Sequence, residues 1–265
     1  MTITKTFGGI SALLALISAS QPSLADEIEW QIAPYIWAAD VGLDLTINND
    51  PALGISVPFK NIVDKLDGAF MLHVEGRGAT SNIGGFADII SLKISDSGVI
   101  AVGPGGPVLG DLVVETELSM GLYEAGGLLR FGDLSIDSTV MDILIGARYV
   151  DVDQDLSITL PGPAGTIIPR SISVSELDML VGVRAIGKFT DRLGYQVRGD
   201  YAGFGTDGTI NLLASIGYTF GQGLFTLDLS YRYMSLELSD NLNNGANSSS
   251  EIDLSGPALG FVFNF

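Results

Sequence analysis

In "LFTLDLSYRYM", residues 224–234, Phe225, Leu227, Leu229, Tyr231 and Tyr233 alternate with Thr226, Asp228, Ser230 and Arg232. A period of two describes a β-strand with one apolar and one polar face. The same pattern recurs in "LGYQVRGDY", where Leu193, Tyr195, Val197 and Tyr201 oppose Gln196, Arg198 and Asp200. In "MDILIGARY", Met141, Ile143, Ile145, Ala147 and Tyr149 oppose Asp142, Gly146 and Arg148. In "LDMLVGVRA", Leu177, Met179, Val181 and Val183 oppose Asp178, Gly182 and Arg184. Strand-like segments fall at 28–47, 69–79, 83–95, 110–131, 138–156, 172–189, 193–204, 209–220, 224–238 and 252–265. The first is expected to bend or break near Asp40–Gly42, and 59–68 to form a short helix inside the first loop.

The connections sort into two kinds. Tight turns are expected near Asn82, Gly132, Asp191 and Gly221, and mostly longer connections near 48–68, 96–109, 157–171 and 239–251. Short and long connections in alternation are the mark of an up-and-down barrel in an outer membrane. The expected fold is therefore all-β: a transmembrane antiparallel up-and-down β-barrel of about ten strands, within a range of roughly eight to twelve. Aromatic residues agree with it. Trp30, Phe131, Phe189, Tyr195, Phe220, Phe225 and Phe265 sit beside the short turns or the chain ends, and Tyr149, Tyr201, Phe204 and Tyr233 toward the other end of their strands. Such levels are the aromatic girdles of a membrane barrel. An exported soluble β-sandwich is the competing fold, and it gives no reason for loops sorted by length.

Composition narrows the setting. Of 265 residues 46% are hydrophobic and the mean hydropathy is +0.38, yet the one long apolar run lies at the start. Lys5, the apolar stretch Phe7–Ile17 and the small-residue site Ser23-Leu24-Ala25 describe a signal peptide over 1–25, leaving 26–265 as the barrel domain. That run is shorter than the roughly 20 residues of a membrane-spanning helix. The chain has no cysteine, and its net charge of −18 argues against nucleic acid as a partner.

Arginine facing lipid at mid-bilayer costs roughly 2–4 kcal/mol, so the apolar faces must point outward and the polar faces line the lumen. The expected lumenal set is His73, Glu75, Arg77, Asp142, Arg148, Asp178, Arg184, Arg198, Asp200, Asp228 and Arg232. Buried charges persist when paired, so the set is expected to plug or narrowly gate the lumen. A barrel of about ten strands is too narrow for a wide channel. His73 is the one histidine and shares a face with Met71, Glu75 and Arg77. A catalytic role would need a nucleophile and an orienting group in contact with it. No flanking motif supplies them, so no enzymatic activity is expected. Asp151, Asp153 and Asp155 in "DVDQD" lack the glycine and glutamate of a calcium loop. With no second histidine and no cysteine, neither a metal site nor any other cofactor is expected. "GPGGP" at 103–107 and "PGPAG" at 161–165 do not match a phosphate-binding loop.

The chain ends in "GPALGFVFNF", with Phe261, Phe263 and Phe265 on one face. The segments "APYIWAADVGLDL", "GARYVDVD", "VRGDYAGFG", "SYRYMSLEL" and this terminus resemble a family of largely uncharacterised Gram-negative outer-membrane β-barrel proteins, small and porin-like. The resemblance implies fold and location and transfers no catalytic residue. The phenylalanine-ended strand also resembles the signal read by the outer-membrane assembly machinery. The expected protein is an integral outer-membrane barrel, structural or forming a narrow passive channel for small solutes. Its expected partners are membrane lipids, lipopolysaccharide and the assembly machinery. A barrel enzyme using His73, or a surface-binding protein acting through its external loops, is the alternative.

Overall fold

The computed structural model describes residues 28–47, 50–62, 66–102, 110–133, 138–160, 166–203, 208–221, 223–241 and 247–265. The expected signal peptide, Phe204, "GPGGP" and "PGPAG" lie outside the described residues. The strands are β1 (Ile28–Trp37), β2 (Asp40–Ile47), β3 (Asp50–Val57), β4 (Leu66–Gly78), β5 (Ile83–Val102) and β6 (Gly110–Phe131). They continue as β7 (Thr139–Leu160), β8 (Thr166–Lys188), β9 (Leu193–Ala202), β10 (Gly208–Phe220), β11 (Phe225–Asn241) and β12 (Asn247–Asn264). One helical turn, α1 (Phe59–Ile62), precedes β4.

β1 pairs antiparallel with both β4 and β12, so β1 and β4–β12 close a ten-stranded ring. Closure pairs every strand of the ring on both sides, with the β1–β4 ladder running from Ile28–Gly78 to Pro34–Leu72. β2 continues β1 upward along β12, and β3 folds back on β2 as a hairpin outside the ring. The first strand breaks at Ala38–Ala39, just before the expected Asp40–Gly42. Residues 50–57, expected in a loop, form β3, and strand resumes at Leu66 within the stretch expected to be helical.

The longer connections differ most from expectation. β5 and β6 remain paired out to Val102 and Gly110, β7 and β8 to Leu160 and Thr166, and β11 and β12 to Asn241 and Asn247. Much of what reads as loop is two-stranded ribbon. Beyond the bilayer neither face of a strand must be apolar, so the period-two signal disappears while the backbone ladder continues. At the opposite rim the turns are tight, and Gly221 and Gly223 at φ +62° and +101° make the reversal between β10 and β11.

The outward face is apolar around the ring, with Ile145, Leu177, Met179, Val183, Val197 and Leu229 all exposed. Near the short-turn rim Phe189 packs on Tyr195 at 4.7 Å between ring centroids and Phe220 on Phe225 at 5.5 Å. Trp30, Phe131 and Phe265 are exposed at the same rim, while Tyr123, Tyr149, Tyr201 and Tyr231 face outward farther up. The carboxyl terminus is held: Trp30 N donates to Phe265 O at 3.0 Å, and Phe265 N donates to Trp30 O at 2.9 Å. Phe261, Phe263 and Phe265 lie on the outward face, and Asn264 reaches the Gly223 carbonyl at 2.7 Å.

Candidate functional site

The inward face carries three successive zones. Nearest the short turns is a cavity of about 550 Å³, bordered by Lys188, Arg192 and Thr219 at the rim and by Asp228 and Ser230 in the wall. Its inner end is formed by His73, Arg184, Arg198 and Arg232.

The middle zone is ionic and has two linked centres. In the first, Arg184 donates to both Glu75 oxygens at 2.7 and 3.0 Å and to Asp142 Oδ2 at 2.6 Å. Arg130 grips Asp142 with two bonds of 2.8 and 2.9 Å, and Arg77 donates to Glu75 at 3.0 Å. In the second, Arg148 donates to Glu124 at 2.7 Å and also bonds Asp200, while Arg198 bonds Glu124 and Asp200, each at 2.6 Å. Asn211 donates to Asp200 and accepts from Arg232, whose guanidinium lies 3.6 Å from Glu124. His73 joins the centres, with Nδ1 3.1 Å from Asp88 and Nε2 3.9 Å from Glu75. Charge-assisted bonds of this length are the strong kind, and most of these carboxylates serve more than one cation.

Glycine makes room for this packing. A Cβ on Gly126 would lie 2.8 Å from the Phe86 ring, and one on Gly146 would run into the Ala125 carbonyl oxygen. Phe86 in turn lies under the Arg198 guanidinium, 5.3 Å from carbon to ring centroid, a cation–π contact.

Above the ions the lumen is apolar. Leu122, Met234, Leu236, Leu254 and Ile90 are buried there, the first three fully inaccessible. Trp37 and Tyr35 mark the boundary. Arg232 sits over the Trp37 ring at 5.1 Å, and Tyr35 donates to Asp88 at 2.8 Å.

All the lumenal residues expected from the sequence lie on inward-facing positions. Glu75, Arg77, Asp142, Arg148, Arg184, Arg198, Asp200 and Arg232 share the ionic zone with His73. Asp178 is half-buried opposite Arg148 in the β7–β8 register, and Asp228 stands apart in the cavity wall. Asp88, Glu124, Arg130, Asn211 and Tyr35 are members of the network that the pattern did not single out. Glu124 and Arg130 follow a period of two, Leu122–Glu124–Gly126–Leu128–Arg130, opposite the apolar face Tyr123–Ala125–Gly127–Leu129, but leucine and glycine between them dilute the polar signal. His73 meets a carboxylate at both ring nitrogens rather than a hydroxyl group. Asp151, Asp153 and Asp155 point outward above Tyr149, and no group of three His, Asp or Glu among the described residues is arranged to hold a metal ion.

A closed ten-stranded antiparallel barrel with an apolar outer face and a polar lumen is the fold of the outer-membrane β-barrel class. No family model and no curated protein matches the chain. Among solved structures, it is similar to the outer membrane protease OmpT from Escherichia coli. The TM-score is 0.52 at 10% identity, over 93% of this chain and 99% of that one. It also aligns with the translocator domain of the autotransporter NalP from Neisseria meningitidis (TM-score 0.45, 12% identity, 96% and 92% covered). The Ralstonia pickettii toluene transporter TbuX aligns too (0.39, 7% identity, 91% and 90% covered). At these identities the likeness to OmpT is one of fold alone.

Proposed function

We propose that this protein is an integral outer-membrane barrel with a structural role, its centre held shut rather than forming a standing channel. The observation that carries this reading is the double seal. Arg148 is bonded to Glu124 and Asp200 with 1% of its surface accessible, and directly above it Leu122, Met234 and Leu236 have none. An ion would have to break the pairs and then cross a hydrocarbon layer, each step unfavourable. Passive movement of small solutes would need both zones to rearrange. The narrower likeness to small porin-like barrels belongs to this reading, as do partnership with lipids and lipopolysaccharide and insertion by the assembly machinery.

The reading is also non-enzymatic. It is supported by the carboxylates at both nitrogens of His73, which occupy the place a nucleophile would need. Planar-bilayer recording of the refolded protein is expected to show no steady conductance steps. Discrete steps in the wild-type protein would overturn the structural reading in favour of a channel.

A further inference from the structure

The ring has one weak place in its wall. The β1–β4 ladder runs from Ile28–Gly78 to Pro34–Leu72 and stops there. Above it β1 is paired with β12, and β4 is paired with β5. The chain between them passes through β2, β3 and α1, and Phe59 N donates to Asp40 Oδ1 at 2.6 Å, fastening the helical turn to the start of β2.

Behind this break lies a second cavity, of about 80 Å³. Trp37, Met71, Ile90 and Met120 line its inner side, Phe59 borders it, and Ile36 connects it to the outward face, where 66% of that side chain is exposed. The lining is hydrocarbon apart from the polar tips of Tyr35 and Trp37, and both tips are occupied. Tyr35 donates to Asp88, and Trp37 Nε1 donates to the Gly256 carbonyl at 3.2 Å. Tyr35 and Trp37 therefore lie between the pocket and the ionic zone, and of the strand residues that line it Ile36 is the one on the outward face. Ile36 pairs with Leu259, one outward position below Pro257, the partner of Tyr231. That level is the upper band of outward tyrosines, where a girdle meets the edge of the bilayer.

We propose that this pocket binds the end of a hydrocarbon chain, admitted through the wall at the β1–β4 break. The chain belongs to a lipid of the outer leaflet or to a free fatty acid; both present the same alkyl end. A cavity with no unsatisfied polar group stays dry and takes an apolar occupant. Lys60, beside Phe59, is exposed and offers a cation to an anionic headgroup left outside. The inference rests on the wall lying in a bilayer, as proposed above.

The chain's two tryptophans supply the test. Trp37 lines the pocket, and Trp30 is exposed at the opposite rim. In W30F, refolded in nanodiscs, dibrominated stearic acid is expected to quench Trp37 saturably if the chain enters as a free acid. Brominated phosphatidylcholine in the disc is expected to quench it if a lipid tail enters. Ala69→Phe, which fills the pocket, should abolish either effect, and Ala39→Leu serves if that variant does not fold. Absence of Trp37 quenching by both probes, or quenching unchanged in the filled variant, would overturn the proposal. In W37F, Trp30 should be quenched by the brominated lipid whatever the pocket holds. Failure of that control alone would sink the membrane reading instead.

Discussion

Just below Tyr35 the lumen is bridged by guanidinium and carboxylate groups; above Trp37 it is filled by methionine, leucine, isoleucine and valine. Both zones exclude water, but they depend on their parts differently. An apolar layer loses stability in proportion to the atoms removed and the void left behind. A buried ionic layer is all or nothing at each carboxylate, because removing one partner leaves the others charged and dry. The β8–β9 register illustrates the constraint. Arg184 and Arg198 stand directly opposite each other, a repulsive arrangement that persists because they turn to different acids. Arg184 takes Glu75 and Asp142, whereas Arg198 takes Glu124 and Asp200. The ionic zone thus ties strand register to pairing, which the apolar zone cannot do, since hydrocarbon contacts are not directional.

Glu124 is where the contrast breaks most sharply. Its carboxylate is shared by Arg148 and Arg198, with Arg232 at 3.6 Å. Glu124→Ala is expected to cost about 3–5 kcal/mol, the loss for breaking a buried pair from one side. The midpoint of urea unfolding, read in detergent from the heat-modifiable band on gels, should fall accordingly. Glu124→Gln, which keeps an acceptor, should recover part of it. In the apolar zone Ile90→Val removes one methylene from a side chain with 1% exposure. Its expected cost is about 0.5–1.5 kcal/mol on the same assay. Equal losses for Glu124→Ala and Ile90→Val would show that the two zones do not differ in the way described.

The ring itself was legible from residue order because lipid enforces alternation. Arg148, Arg184, Arg198 and Arg232 had to face inward once their neighbours faced lipid, and the tight turns gave the direction of each strand. Asp88 and Glu124 were not legible. Asp88 lies between inward Phe86 and Ile90, and Glu124 between inward Leu122 and Gly126, so the inward faces of β5 and β6 mix apolar and polar residues and do not stand out as polar. The same mixing concealed the upper apolar layer, because Met120 and Leu122 share the face of Glu124 and nothing in their residue type marks that face as lumenal. Pairing across the lumen carries no sequence signature at all: Arg184 and Glu75 are 109 residues apart and meet only when the tilted strands close. The long β-ribbons escaped notice for the opposite reason, since beyond the bilayer nothing requires a period.

The last comparison sets an ion pair of the lumen against one in water. Lys93 and Glu117 lie on the outward face of β5 and β6, above the apolar band, with an N–O distance of 2.6 Å, within the range of the ionic zone. Geometry alone would rank the pair with Arg198–Glu124, which has the same separation. The difference is solvent. The Lys93 and Glu117 side chains are 50% and 49% exposed, so water screens the attraction and accepts either charge left behind. Lys93→Met is therefore expected to shift stability by less than about 1 kcal/mol, the range for exposed pairs. The same urea midpoint measured in low and high salt checks it. A loss comparable to that of Glu124→Ala would mean that the outward ribbon is far drier than its exposure indicates, and that the bilayer reaches beyond the tyrosine band.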